Sequence, residues 1–255
     1  MEKKFEFTPR LRYLTYALMI IGIVAVVVGF MSDPTRGWAN LLLNNFYFLS
    51  LAIGASFFLA LQYITQSGWS AAFKRIPESM SLFIPVAAII MVILIFGMDS
   101  LYAWINPEEH AFDEHEEHLI HHKSPYLNVP FFIVRLVLYF AVWIFMTQML
   151  RRFSLREDRE GGLVYFEKSE FYSKVYIFTL ALTFSLASFD WLMSLEPTWF
   201  STIYSLKNFV AAFYHGSSII VLIVLIMHSK GYFRFITDFH WQDFSKYVFI
   251  LSIIW

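Results

Sequence analysis

Six long apolar stretches constrain what this chain can fold into. They cover residues 13–31, 46–64, 82–104, 127–150, 175–195 and 203–227. Each approaches or exceeds the roughly 20 residues needed to cross about 30 Å of hydrocarbon. Composition agrees: 58% of the 255 residues are hydrophobic and only 15% are charged, against about 45–50% and about 25% in a soluble domain. Phe, Trp and Tyr together reach 20%, as expected where rings pack between helices and anchor at membrane interfaces. The expected fold is an all-α transmembrane bundle forming a single integral membrane domain over 1–255. The first stretch exceeds a signal-peptide core and precedes no small-residue cleavage site, so it reads as a retained span. A seventh stretch begins near Lys246 and stops at Trp255. It is too short to span, so a helix is expected to continue past it.

Basic residues alternate between the connecting segments. Lys3, Lys4, Arg10 and Arg12 precede span one, and Lys74 and Arg75 follow span two. Arg151, Arg152, Arg156, Arg159, Lys168 and Lys174 follow span four, and Lys230, Arg234 and Lys246 follow span six. The other connections carry Arg36, then Lys123, then none. The positive-inside rule therefore places the N-terminus in the cytoplasm. Asp33, Pro34 and Gly37 are expected to turn the chain after span one, and the REDREGG run 156–162 to form a charged cytoplasmic turn.

The formal net charge is −1 and cysteine is absent. The charge removes the electrostatic footprint of nucleic-acid binding. The missing thiols exclude disulfides, cysteine-ligated iron–sulfur clusters, CxxCH haem attachment and thiol catalysis in this chain. Bis-histidine haem also fails on sequence: His215 and His228 share span six, but spans one to five contain no His to face them.

Between spans three and four, 107–123 read PEEHAFDEHEEHLIHHK, within a His- and acid-rich outer loop over 105–125. His115, His118 and His121 repeat at a spacing that shares one helix face, with His110 and His122 beside them. Zinc or copper ligation is chemically open to such a set. So is proton collection, because imidazole titrates near neutrality. The plainer expectation is a solvated acidic loop, with no metal bound.

Ionisable groups within spans are expensive and mark function or interhelical pairing. Arg135 lies about nine residues into span four, roughly 13 Å deep. His215 lies near the middle of span six. Asp190 is near the outer end of span five, Lys207 one turn into span six, Glu196 at the outer end of span five and Asp99 at the outer end of span three. Asp190, His215 and Arg135 together suggest a proton path or a quinone headgroup pocket, with Glu196, Lys207 and Asp99 as further candidates. The competing expectation is structural: Arg135 and Asp190 pair between helices and Lys207 snorkels outward. Glu196 precedes Pro197 in a short outer turn, and Ser201 or Thr202 is the expected N-cap of span six.

Residues 188–204 read SFDWLMSLEPTWFSTIY. This segment resembles one of the two paralogous integral membrane subunits of the bacterial quinol:cytochrome c oxidoreductases known as alternative complex III, within the NrfD/PsrC-like family. The resemblance is to the paralogue associated with structure and a proton route. The motif residues are Phe189, Asp190, Trp191, Met193, Ser194, Leu195, Pro197 and Trp199. The N-in first span, the His-rich outer loop, the REDREGG turn and FHWQDFSKY at 239–247 extend the resemblance over the whole chain. The resemblance implies an integral subunit of the bacterial inner membrane, in a family with further spans, that supports quinol oxidation in a respiratory chain. It implies as partners the other NrfD-like paralogue, an iron–sulfur subunit, multihaem and monohaem cytochrome c subunits and a terminal oxidase. Haem c and iron–sulfur clusters would sit in those partners, quinol would be the one redox ligand within reach of this chain, and no catalytic residue would reside here. Asp190 is the position carried over from the motif, where the matching acid of the other paralogue is associated with quinol chemistry. The alternatives are a quinol-binding subunit in its own right, a structural anchor and a proton-coupled transporter. The absence of corresponding midspan Gly or Pro interruptions weighs against the transporter.

Overall fold

The computed structural model describes residues 7–255, so Lys3 and Lys4 of the N-terminal charge cluster lie outside the described residues. Among the described residues the chain is all α-helical with no strand, and six helical segments are long and apolar enough to cross a membrane. They comprise α1 (Pro9–Ser32), α2 (Pro34–Ile64), a segmented third span, α7 (Val129–Glu160), α8 (Val164–Trp191) and α9 (Tyr204–Ser229). The third span consists of α3 (Arg75–Met80), α4 (Ile84–Leu94) and α5 (Met98–Leu101), joined by 3-10 turns at Ser81–Phe83 and Ile95–Gly97. The chain closes with α10 (Asp238–Ile254).

Several helices outrun the apolar stretches that announce them. Only Asp33 separates α1 from α2; its side chain accepts from the Arg36 amide at 3.1 Å while Pro34 occupies the first turn, where a missing N–H costs nothing. Span two therefore starts at Pro34 rather than near residue 46, and Gly37 is a buried helical residue under Phe30 rather than part of the turn. Likewise α7 runs ten residues past Leu150 and α8 begins at Val164, so most of the expected loop at 151–174 is helix. Hydropathy ends with the bilayer, whereas Arg, Glu and Leu continue a helix readily in water. Gly161 and Gly162, at φ 68° and 77°, make the reversal, a backbone conformation that glycine adopts without strain. Neither Ser201 nor Thr202 caps span six: the cap position is Ile203 and no side chain bonds there.

The bundle is organised on α2, which packs against α1, α3, α4, α8 and α9. Its closest neighbour is α9. A Cβ on Gly54 would lie 2.0 Å from the Ala212 carbonyl oxygen, and one on Gly216 would lie 2.9 Å from the Ala55 nitrogen, so two glycines let these backbones touch. Helix α1 buries none of its residues and rides outside the bundle on α2.

The connections sort by charge. The segment after α2 meets the extension of α7, where Lys74 reaches Glu157 at 3.1 Å. The His-rich segment meets the α8–α9 turn at the other end, where the Lys123 ammonium donates to the Pro197 carbonyl. The 107–123 segment is itself partly helical: α6 (Glu114–Lys123) opens on a capping box in which Asp113 and Glu116 bond each other's backbone amides at 2.8 and 3.0 Å. Only Ile120 of this helix is buried, and His115, His118, His121 and His122 are exposed. Among the described residues no three His, Asp or Glu side chains converge as metal ligands.

Candidate functional site

Asp190 is the penultimate residue of α8 and only 1% exposed. A carboxylate at a helix C-terminus in a dry interior is unfavourable by itself. Arg135, in the second turn of α7 and also buried, relieves it. Arg135 Nε donates to Asp190 Oδ2 at 2.8 Å and Nη2 donates to Oδ1 at 3.1 Å, a bidentate fork. Arg135 Nη1 donates to the Tyr126 carbonyl at 3.0 Å. The guanidinium plane lies over the rings of Tyr126 and Phe131, with Cζ 3.9 and 4.3 Å from their centroids. A third donor completes the carboxylate: the Tyr139 hydroxyl, one turn along α7, reaches Oδ2 at 2.8 Å.

Aromatic side chains wall this pair off. Trp191 stacks on Phe140 with centroids 5.5 Å apart and meets Trp143 edge-on at 5.8 Å. Trp143 in turn donates to the Thr183 hydroxyl at 2.8 Å. The Tyr102 hydroxyl caps the Trp191 carbonyl at 3.1 Å, and the Ser194 hydroxyl bonds the Asp190 carbonyl, so the end of α8 is tied from both sides. The Trp191 indole N–H and the Ser188 hydroxyl, both buried, have no hydrogen-bond partner among the described residues.

Above the pair, on the face carrying α6, opens a cleft of about 310 Å³. Its walls are mainly Tyr126, Phe189, Met193, Pro197, Trp199 and Phe200, and its polar groups are His122, Lys123, Ser194 and Glu196. Tyr126 belongs to both features, its ring lining the cleft while its carbonyl holds Arg135. Burial pushes the Lys123 ammonium below its usual range. An adjoining cleft of about 370 Å³ brings Asp99, His110 and Glu196 to one surface.

The candidates thus separate. Arg135 and Asp190 come together, with Tyr139 as a third member that sequence reasoning passes over. Glu196 is exposed, accepts from Thr198 at 3.0 Å and sits on the wall between the two clefts. Asp99 and Lys207 are exposed. His215 is half-buried among the rings of Tyr214, Trp255 and Tyr47, at 5.3, 5.6 and 6.0 Å, and no hydrogen bond among the described residues joins it to Asp190. Of the motif residues, Trp191 and Asp190 build the buried pair and its cage, whereas Phe189, Met193, Ser194, Pro197 and Trp199 line the cleft; Leu195 faces the adjoining one.

A second polar cluster, at the opposite end of the bundle, also escapes sequence reasoning. Glu78 on α3 is 2% exposed, although it falls between the apolar stretches and reads as a loop residue. The one available signal is Arg75 three residues earlier, on the same helical face, and the two form an ion pair.

Comparison of the chain with known protein families and with curated proteins finds no match. The structure by itself makes this a polytopic, all-helical membrane protein.

Proposed function

We propose that this chain is an integral subunit of a quinol-oxidising respiratory complex of the alternative complex III kind, in a bacterial inner membrane, and that its outer cleft takes the quinol. The observation that carries the reading is the position of the motif. Five of the motif residues that carry the resemblance to the NrfD-like membrane subunits line one aromatic cleft, beside the buried Arg135–Asp190–Tyr139 network. The cleft volume is at the lower end of the range for small-molecule pockets, and its mix of apolar walls with a few polar groups suits a hydroquinone ring. Oxidation of a quinol releases two electrons and two protons. With neither cysteine nor facing histidines for a cofactor, this chain would leave the electrons to haem or iron–sulfur groups in neighbouring subunits. Glu196 and His122, which line the cleft, would accept the protons, and the Arg135–Asp190–Tyr139 network would hold the adjoining wall rigid.

The test is photolabelling of the membrane assembly with an azido-quinone. Label is expected on the peptide spanning 186–204, to be suppressed by excess quinone and reduced in Glu196→Gln. Label confined to other chains or other helices sinks the quinol assignment. Isolation of the chain without any haem-bearing partner sinks the subunit assignment.

A proton route is the second reading, favoured by a buried polar row along the inner faces of α7 and α8. The row comprises Tyr139 and Thr147 on α7 and, on α8, Thr183, Tyr176, whose hydroxyl bonds Ser56 at 2.7 Å, Ser173 and Ser169, all buried. Asp190→Asn should then slow proton movement in the assembled complex, whereas unchanged coupling would remove Asp190 from it. His215 has no bonded place in this row.

A further inference from the structure

The end of the bundle carrying the basic connections holds a charge cluster that does not balance. Lys74 contacts Glu157 at 3.1 Å and Asp158 at 3.2 Å. Arg75 divides its guanidinium between Glu78 and Asp158, and its Nη2 also reaches the Ser154 carbonyl at 3.3 Å. Three carboxylates therefore meet two cations. Water can stabilise the surplus charge on Asp158, whose side chain is 49% exposed, or on Glu157, at 23%, but the Glu78 side chain is 2% exposed. A surplus negative charge in that position is relieved by binding a proton.

The groups around Glu78 are incomplete in a way that points to a small polar guest. Its Oε2 pairs with Arg75, but among the described residues Oε1 has no partner. Nor do the hydroxyls of Tyr63 on α2 and Ser154 on α7, which are buried at 6% and 0% exposure. The Ser154 hydroxyl lies near both Tyr63 and Glu78 without a hydrogen bond to either. Three buried, unpartnered polar atoms on three helices are rare in a packed interior unless water or another ligand satisfies them. Beside them is a cavity of about 50 Å³ lined by Gln62, Tyr63, Ser67, Ser70, Lys74 and Glu157. That is room for a water molecule, with more than enough polar partners to hold it. At the same end of α9, which also packs on α3, the titratable residue His228 bonds the Phe233 carbonyl at 3.2 Å instead.

We propose that Glu78, Tyr63 and Ser154 form a hydrated proton-binding site between α2, α3 and α7, with Glu78 as a carboxylic acid that exchanges its proton through the Gln62–Ser67–Lys74 cavity. The acid O–H donates to Ser154 or to the bound water, and Tyr63 supplies the next hydroxyl toward the cavity. The site requires no quinol and no partner subunit, so it stands or falls apart from the function proposed above.

The probe is dicyclohexylcarbodiimide, which is apolar and reacts with protonated carboxyls in apolar surroundings. The native full-length protein in detergent or native membranes is treated over a range of pH, and modified peptides are located by mass spectrometry. Glu78, whose side chain is 2% exposed against 23% for Glu157, should be the principal buried carboxyl labelled, roughly tenfold or more over Glu157. Labelling should decline as pH rises. Asp190, held by three donors, should remain unlabelled. Label on Glu157, Asp158 or Asp190 with Glu78 unmodified overturns the proposal. In hydrogen–deuterium difference infrared spectra, a protonated carboxylic C=O stretch that shifts rapidly in deuterated buffer should vanish in Glu78→Gln. Persistence of that band in the variant, or its absence from the native protein, also overturns it.

Discussion

Asp190 and Glu78 are equally buried carboxylates, and each lies beside an arginine, yet they occupy opposite kinds of surroundings. Asp190 has both oxygens engaged by a bidentate arginine, a tyrosine hydroxyl on one of them, and a wall of indole and phenyl rings around the whole. Glu78 has one oxygen engaged, an arginine it must share with Asp158, and two hydroxyls nearby with nothing to bond. The contrast teaches that burial does not by itself say what a carboxylate is for. A closed network fixes geometry, because every alternative position leaves charge unpaired. An open one leaves room for water and a proton.

Removing one partner of the closed network should cost the most. Arg135→Met strands a carboxylate in the interior and is expected to destabilise the protein by about 3–5 kcal/mol, visible as a large fall in thermal midpoint or loss of folded protein from membranes. The double variant Arg135→Met, Asp190→Leu should recover most of that loss. A mild single variant would mean that water already reaches Asp190, and the contrast would collapse.

The same chemical change made at both ends sharpens the comparison. Tyr139→Phe removes a hydrogen bond to a charged group and should cost about 1.5–3 kcal/mol in thermal or denaturant unfolding. Tyr63→Phe removes a hydroxyl without a protein partner and should stay within about 0.5 kcal/mol. Equal losses would show that Tyr63 has a partner as firm as Asp190. Ser154→Ala should be as mild as Tyr63→Phe.

The smallest effect is a dependence on alkaline pH. Burial lowers the proton affinity of Lys74, but Tyr63, Glu157 and Asp158 raise it by more, so its folded value lies above its ordinary one. The stability it contributes is therefore complete below the unfolded value of about 10.4 and is lost as pH rises through the higher folded value. For a partly exposed pair this amounts to less than about 1 kcal/mol. Stability of the native protein minus that of Lys74→Met should shrink in this alkaline window. A difference that grows there would show that Lys74 is not held by its carboxylate neighbours.

Much of the architecture was legible. Hydropathy located six spans because crossing a bilayer imposes a local requirement on every stretch of about 20 residues. It misplaced their ends, putting the start of span two at residue 46 instead of Pro34 and reading most of 151–174 as loop, because a helix leaving the bilayer keeps its hydrogen bonds while losing its apolar character. Arg135 and Asp190 were legible as candidates because charge inside an apolar run is conspicuous, and the structure joins them as a buried ion pair. Tyr139 was not: a tyrosine among apolar residues looks like packing until its hydroxyl is seen to reach a carboxylate. Glu78 escaped for the opposite reason, since a glutamate outside the apolar runs looks solvated.

The sequence by itself determined that this is a helical membrane protein without thiol-bound cofactors, because solvation of the backbone and the chemistry of ligands depend on residue type and local order alone. The tertiary structure decided which charges meet. Arg135 and Asp190 lie 55 positions apart, and no local pattern records that the second turn of one helix ends beside the last turn of the next. It also decided that His215 stays outside their network and that Glu78 lies buried beside unpartnered hydroxyls, because those outcomes depend on how α2, α3, α7 and α9 pack against one another.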